Sequence, residues 1–439
     1  MTIQGATSAP TDRHDTLPFD SGQARDAISW GLALAAALAL TGLVLLDSRS
    51  GMASALAGVR FDLQPGSLLA PLVAAGVLVA VRRGAHERLG WGATLGLGYL
   101  AGLAWTLSLA VVDGGSGLAS TTSQPQDYLR AVSAVGGDPG LFLRSFLDRT
   151  GEWSSTARQH PPGPVLLLWA AQPLGLVRPA TLGLAIALIG CLPVPLTAAA
   201  VRSLCGEPAA RRLLPVLALA PWALWTTGSV DAVTGAVCAV MLWCGVRGSE
   251  PGRSPWWALL AGLLLGVAGL MSYSAVWLGA TLLATYFVRR RPLLNIVSGA
   301  GALTVLGLTR LAGFDWAAGL RAARTDVGLP EMRPWLWLPL AVLVLLIAGG
   351  PALVAAVRKV RNTPGWPFLI GAALTVLFAM TSRSGPGDLE HAALPLPWLL
   401  VAAVAPDTPG GRIPPAPTLL IGIGAAGAVL LQAPPVIWW

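Results

Sequence analysis

Five short stretches of this chain hold residue types that could do chemistry. Asp113 follows directly on the apolar run ending in Val111 and Val112, so its carboxylate falls at an apolar boundary. Desolvation and nearby arginines tune the basicity of a group placed there. Asp127-Tyr-Leu-Arg130 puts an acid, a phenol and a guanidinium within four residues. Arg158-Gln-His-Pro-Pro-Gly163 sets a cation and an imidazole before two prolines, which stiffen the backbone and hold the preceding side chains in place. Asp231 lies in Thr226-Thr-Gly-Ser-Val-Asp-Ala between two apolar runs. Ser382-Arg-Ser-Gly-Pro-Gly-Asp-Leu-Glu-His391 crowds Arg383, Asp388, Glu390 and His391 into a turn suited to a phosphate or a sugar. Plainer roles stand beside these: a helix-end cap for Asp113, an N-cap for Asp231, a backbone hydrogen bond for His160, and a solvated loop for 382–391.

The elements that must position these residues follow from composition. Of 439 residues, 54% are hydrophobic and only 11% charged, far from the quarter-charged make-up of soluble domains. Apolar runs of about 20 residues, enough to cross a hydrocarbon layer of about 30 Å, recur along almost the whole chain. The expected fold is therefore all-α: a polytopic transmembrane bundle of about thirteen helices. The run at 28–46 is too long for a signal-peptide core and reads as a retained first helix. Cys191, Cys205, Cys238 and Cys244 lack the spacing of a metal site and read as apolar filler. The net charge of +8 comes almost wholly from arginine, Lys359 being the only lysine. These arginines lie between apolar runs, which assigns them to membrane topology; no nucleic-acid partner is expected.

Basic clusters recur at Arg82, Arg83 and Arg88; at Arg202, Arg211 and Arg212; at 289–291; and at Arg358, Lys359 and Arg361. With all four on the cytoplasmic side, an even number of crossings separates each from the next. Residues 1–27 form a cytoplasmic tail and 28–90 hold two helices. The core, 91–405, includes an extracytoplasmic loop at 113–179 with short helices near 127–135 and 139–148. The last part, 406–439, is a linker and a final helix. The apolar piece 164–177 is too short to cross and lies flat or re-enters. Crossings are expected at 28–46, 67–81, 91–112, 180–201, 213–227, 232–246, either side of Ser272-Tyr-Ser274 within 256–288, from 292 on, and at 335–357, 366–380, 392–405 and 417–435. On this map Asp113, Asp127, Arg130, Arg158, His160, Asp231, Arg310, Arg383, Asp388, Glu390 and His391 all gather on the outer face.

The order of a helix-end aspartate, a large external loop, a Pro-Pro-Gly opening an apolar helix, and a second aspartate two helices later resembles the C-type (GT-C) membrane glycosyltransferases. Aminoarabinose transferases and protein O-mannosyltransferases are among them. Asp127-Tyr-Leu-Arg130, Gln159-His-Pro-Pro-Gly163, Gly228-Ser-Val-Asp-Ala232 and Gly387-Asp-Leu-Glu-His391 are similar to actinobacterial members carrying Gly-His-Pro-Pro-Gly and a late Gly-Glu-x-Glu-Arg. The likeness spans about 91–405. Gly114 stands where many relatives have a second acid, Gln159 where they have glycine, and His391 where they have arginine.

The resemblance implies an enzyme of the cytoplasmic membrane that works on its outer face. It implies a polyprenyl-phosphate-linked sugar donor, a glycan, lipid or protein acceptor, and inversion at the anomeric carbon. It assigns Asp113 as catalytic base and Asp231 as the second functional aspartate, holding the acceptor or a divalent cation (Mg or Mn) where one is used. Asp127, Tyr128, Arg158, His160, Arg383, Asp388, Glu390 and His391 are the expected substrate contacts. Two other classes fit a many-helix bundle: a transporter or lipid flippase, and a non-catalytic scaffold. A transporter needs charges near the bilayer midplane, and here the middles of the apolar runs are nearly free of them.

Overall fold

The computed structural model describes residues 21–47, 65–112, 123–176, 178–325, 334–381 and 394–432, and among these every regular element is helical. That follows from the solvent: in hydrocarbon the backbone can satisfy its own donors and acceptors only within a helix or a closed barrel. Six helices are long and apolar enough to cross a bilayer: Gly22–Leu43, Pro65–Arg82, Trp91–Ala110, Pro179–Cys205, Val230–Gly248 and Leu293–Leu311. Their outward faces carry exposed Ile28, Leu72 and Leu303, side chains that lipid accepts and water would not. This is a multi-pass membrane protein.

The remaining expected crossings take other forms. Trp256–Met271, Ala275–Val288, Trp366–Thr381 and Thr418–Gln432 are apolar helices of only 10–17 residues, as is Gly163–Leu174, where no crossing is expected. The expected crossing at 213–227 is divided into Glu207–Ala218, with Pro215 inside it, and the single turn Ala223–Thr226. Pro215 and Pro221 each withhold an amide donor, so no continuous ladder can form there. At 335–357 the chain bends by 97° between Ala341–Gly349 and Pro351–Asn362. Gly350 adopts φ 61° at the bend, a left-handed conformation open to glycine, and Pro351 starts the next helix. The piece at 392–405 is a short helix, Leu396–Leu399, followed by the buried 3-10 stretch Leu400–Val404.

Small residues bring the helices together. A Cβ on Gly262 would run into the Ser298 carbonyl, and one on Gly301 would sit 2.7 Å from the Leu259 oxygen. Trp256–Met271 and Leu293–Leu311 thus touch backbone to backbone, the usual way of gaining dispersion energy in lipid, where burying apolar surface gives nothing. Trp105 is fully buried at the centre of the bundle and donates from Nε1 to the Ala220 carbonyl at 3.1 Å. It ties Trp91–Ala110 to the break at 219–222 and satisfies one of the carbonyls that break exposes.

All four basic clusters meet at one end. Arg211 donates to the His86 and Leu89 carbonyls at 2.6 and 2.9 Å and pairs with Glu207 at 2.6 Å. Arg212 donates to the Ile413 carbonyl at 2.8 Å. Arg289 donates to the Ser203 carbonyl, and Arg358 pairs with Asp26 and Asp407 at 2.8 and 2.7 Å. The opposite end carries the short helices Ser123–Val132, Pro139–Ser145, Ser155–Gln159 and Trp316–Arg324. Val230–Gly248 links the two ends: Asp231 in its first turn and Arg247 in its last are about 24 Å apart at about 1.5 Å per residue.

Trp105 gives the test of this packing. Trp105→Ala is expected to destabilise the protein by about 3–5 kcal/mol through the cavity it leaves. Trp105→Phe keeps most of the volume and is expected to cost about 1–3 kcal/mol through the unpaired Ala220 carbonyl. Unfolding midpoints of the two variants in mild detergent, compared with wild type, check the order.

Candidate functional site

At the end opposite the basic clusters, an aromatic platform supports the His160 motif. Phe142, Phe146, Trp153 and Phe314 pack with ring centroids 5.5–5.8 Å apart, and Trp153 donates from Nε1 to the Phe146 carbonyl at 3.0 Å. Ser154 leaves this platform as the N-cap of Ser155–Gln159, its hydroxyl accepting from the Ala157 amide at 3.3 Å. His160 ends that helix in an extended conformation, 2% exposed. Its Nδ1 lies 2.8 Å from the Thr156 carbonyl, which can only accept, so Nδ1 is the donor and Nε2 is the acceptor of the neutral ring. The Tyr128 ring meets the imidazole edge-on at 5.8 Å. The backbone bond weighed from sequence for His160 is therefore present, and it fixes the ring's orientation.

Pro161-Pro162-Gly163 then anchors this loop to the bundle. Pro162 has φ −69° and leads into Gly163–Ala171. A Cβ on Gly163 would collide with the Leu270 carbonyl, so only glycine lets this helix press on the C-terminal end of Trp256–Met271. Immediately beyond, Ser272 turns extended (φ −150°, ψ 134°) and its hydroxyl meets that of Ser274 at 2.8 Å. Helix packing and loop stiffness together bring Gln159 and His160 against Ser272, Tyr273 and Ser274 in one pocket.

The rest of the pocket is Leu320, Ala323 and Arg324 from Trp316–Arg324, with Phe378 and Ala379 from Trp366–Thr381. Asp315 N-caps the first of these helices, accepting from the Ala318 amide at 3.0 Å, and pairs with Arg310. Arg324 lies over the Phe378 ring at 4.9 Å. The pocket thus joins an imidazole, a carboxamide, three hydroxyls and a guanidinium to an apolar wall. Such a lining offers donors to an anionic group beside an apolar wall, and its open volume of about 20 Å³ is room for water alone in this structure.

Asp231 is 3% exposed and sits in the first turn of Val230–Gly248. The N-cap is Ser229, whose hydroxyl accepts from the Asp231 amide at 3.0 Å, so capping is not the carboxylate's task. Its neighbours Val230, Ala232 and Val233 share a core with Tyr128, Ala157 and the aromatic platform.

The structure therefore brings together Tyr128 and His160, with Arg158 on the adjoining turn and Asp231 on the helix that packs into their core. Asp113, Arg383, Asp388, Glu390 and His391 lie outside the described residues, and Asp127 is described only as part of Ser123–Val132. Val112, one residue before Asp113, follows a helix that packs against Ala223–Thr226, shortly before Asp231. Thr381, two residues before Arg383, ends the helix that supplies Phe378 and Ala379 to the pocket. Among the described residues no group of three His, Cys, Asp or Glu comes together as a metal site would need.

Sequence reasoning missed Ser272, Tyr273, Ser274 and Arg324 as pocket residues. A polar tripeptide interrupting a 33-residue apolar run at 256–288 is a signal for the first three. Arg324 carries no such mark, since nothing local distinguishes it from Arg321.

Comparison with known proteins bears out the resemblance over part of the chain. Residues 159–311 match the family model described as dolichyl-phosphate-mannose-protein mannosyltransferase. The crystal structure of ArnT from Cupriavidus metallidurans in the apo state is similar at 20% identity and a TM-score of 0.42, over 61% of this chain and 55% of that one. The same protein bound to undecaprenyl phosphate is similar at 19% identity and a TM-score of 0.42, over 63% of this chain and 59% of the other. This chain thus spans less than two thirds of the solved structures it matches. No curated protein matches it by sequence.

Gly163→Ala is expected to lower stability by about 1–3 kcal/mol, because the added methyl meets a backbone carbonyl that cannot rotate away. Gly151→Ala, with nothing near its Cβ, is the control and is expected to be neutral. Thermal unfolding of both variants in detergent separates the two.

Proposed function

We propose that this chain is an integral membrane glycosyltransferase that moves a sugar from a polyprenyl-phosphate donor to an acceptor outside the cytoplasmic membrane. One observation supports the reading most: the stretch matching the mannosyltransferase family model contains Gln159, His160 and Ser272 to Ser274, the residues that meet in the pocket. The four basic clusters at the far end favour an extracytoplasmic pocket, because arginine-rich ends stay in the cytoplasm.

The chemistry asks little of the protein. The acceptor oxygen attacks the anomeric carbon as its proton passes to the Asp113 carboxylate. The carbon–oxygen bond to phosphate breaks on the opposite face, and its electron pair leaves with the phosphate. Configuration inverts in this single displacement. Arg158, Arg383 and Arg324 stabilise the departing phosphate beside His160, in a low-dielectric boundary where such contacts are strong. Asp231 holds the acceptor or a divalent cation. Tyr128, Asp127, Asp388, Glu390 and His391 contact the sugar and its head group. The polyprenyl chain runs along the apolar wall that Leu320 and Phe378 begin.

A conduction pathway is disfavoured because the middles of the described crossings carry no Asp, Glu, His, Lys or Arg; Asp231 and Arg247, for example, sit at opposite ends of theirs. Sugar transfer from a radiolabelled polyprenyl-phosphate donor in membranes is the test. Asp113→Asn is expected to lower transfer by about 10²–10⁴-fold, the usual contribution of a general base, with donor binding retained. Undiminished transfer would remove Asp113 from the mechanism. His160→Ala is expected instead to weaken retention of the lipid phosphate by the purified protein.

A further inference from the structure

A second and larger pocket, of about 540 Å³, lies at the basic end of the bundle, far from the site above. It is lined by Trp91 and Leu95, by Pro195, Leu196, Ala199, Arg202 and Ser203, and by Trp243, Val246, Arg247 and Glu250. Its size falls within the range of about 300–1,000 Å³ usual for ligand sites. Its polar residues occupy the ends of the helices and its apolar ones lie farther along them, so the cavity is charged at the boundary and apolar inward.

The charges there are unevenly satisfied. Glu250 accepts from Ser203 at 2.9 Å and from Arg253 at 3.4 Å, and Arg202 pairs with Glu207 at 2.6 Å while lying over the Trp91 ring at 4.7 Å. Arg247 differs. Its guanidinium rests against the Trp243 and Trp257 rings at 5.8 and 5.6 Å, and among the described residues its Nε is buried without a hydrogen-bond acceptor. Arg247 as a whole is half-buried, so the buried Nε is one orphan donor on a guanidinium that lines the cavity, and such an orphan is costly. Arg289 and Arg291 border the same turn through Ser203, Gly248 and Glu250, so cations outnumber acids around the cavity.

We propose that this pocket holds one anionic phospholipid of the leaflet at the basic end. Its phosphate lies between Arg202 and Arg247, and the start of its acyl chain lies on Leu95, Leu196 and Ala199. Two guanidiniums held on indole faces present donors to phosphate oxygens, and the apolar floor excludes a bare, fully hydrated anion. This site is separate from the transferase reading and does not depend on it.

Native mass spectrometry of the purified full chain, released from micelles containing phosphatidylglycerol or phosphatidylcholine, provides the test. The wild type is expected to keep one phosphatidylglycerol and to hold phosphatidylcholine about ten-fold more weakly, the worth of one charge-assisted contact. Arg247→Gln is expected to lose about ten-fold in phosphatidylglycerol retention. Ala199→Trp, which fills the apolar part, is expected to do the same by a different route and carries the test if Arg247→Gln does not fold. Equal retention of both lipids would overturn the proposal, as would wild-type retention by the variants. Displacement of the lipid by millimolar inorganic phosphate would also overturn it, by showing a simple anion site.

Discussion

Hydrocarbon offers no partner to a charge or to an open backbone hydrogen bond, and that constraint orders the whole molecule. Arginines are driven to the helix ends, where they find carbonyls on neighbouring segments: Arg211 on His86 and Leu89, Arg212 on Ile413, Arg291 on Gly248 and Glu250. One end of the bundle becomes a basic lattice that ties distant parts of the chain together. At the other end the same need is met by capped short helices over a small aromatic core.

Where the backbone leaves the helical state inside the apolar region, the structure either repairs the break or uses it. At 219–222 the Trp105 indole supplies the missing donor. At 272–274 the Trp316 indole likewise donates to the Gly269 carbonyl at 2.7 Å, and the Ser-Tyr-Ser step faces His160, pressed into place by the glycine of Pro-Pro-Gly. In the proposed reaction this is where a lipid phosphate would meet cations at the edge of the membrane.

Much of this is legible in the sequence, because lipid imposes simple rules. Length and hydropathy mark the helices of crossing length, and charge asymmetry sorts the clusters to one end. Pro-Pro-Gly marks a constrained loop before a helix. What sequence reasoning could not supply depends on proline and on tertiary contact. The 213–227 run reads as a single crossing, yet it breaks at 219–222, where Pro221 withholds an amide donor. The 335–357 run reads as straight, yet Gly350 and Pro351 bend it by 97°. Arg324 joins the pocket only because Trp316–Arg324 folds back toward Tyr273, with Trp316 edge-on to that ring at 5.4 Å. Pairwise approach of this kind has no periodic signature.

The account rests on two ends of one bundle facing opposite sides of the membrane. Single cysteines at two exposed positions, Ser133 beside the site helices and Ser254 at the basic end, test it when placed in a chain whose four native cysteines are replaced by serine. A membrane-impermeant thiol reagent applied to intact cells is predicted to label position 133 and to reach position 254 only after the membrane is permeabilised. Labelling of both positions in intact cells, or of position 254 alone, would contradict the account.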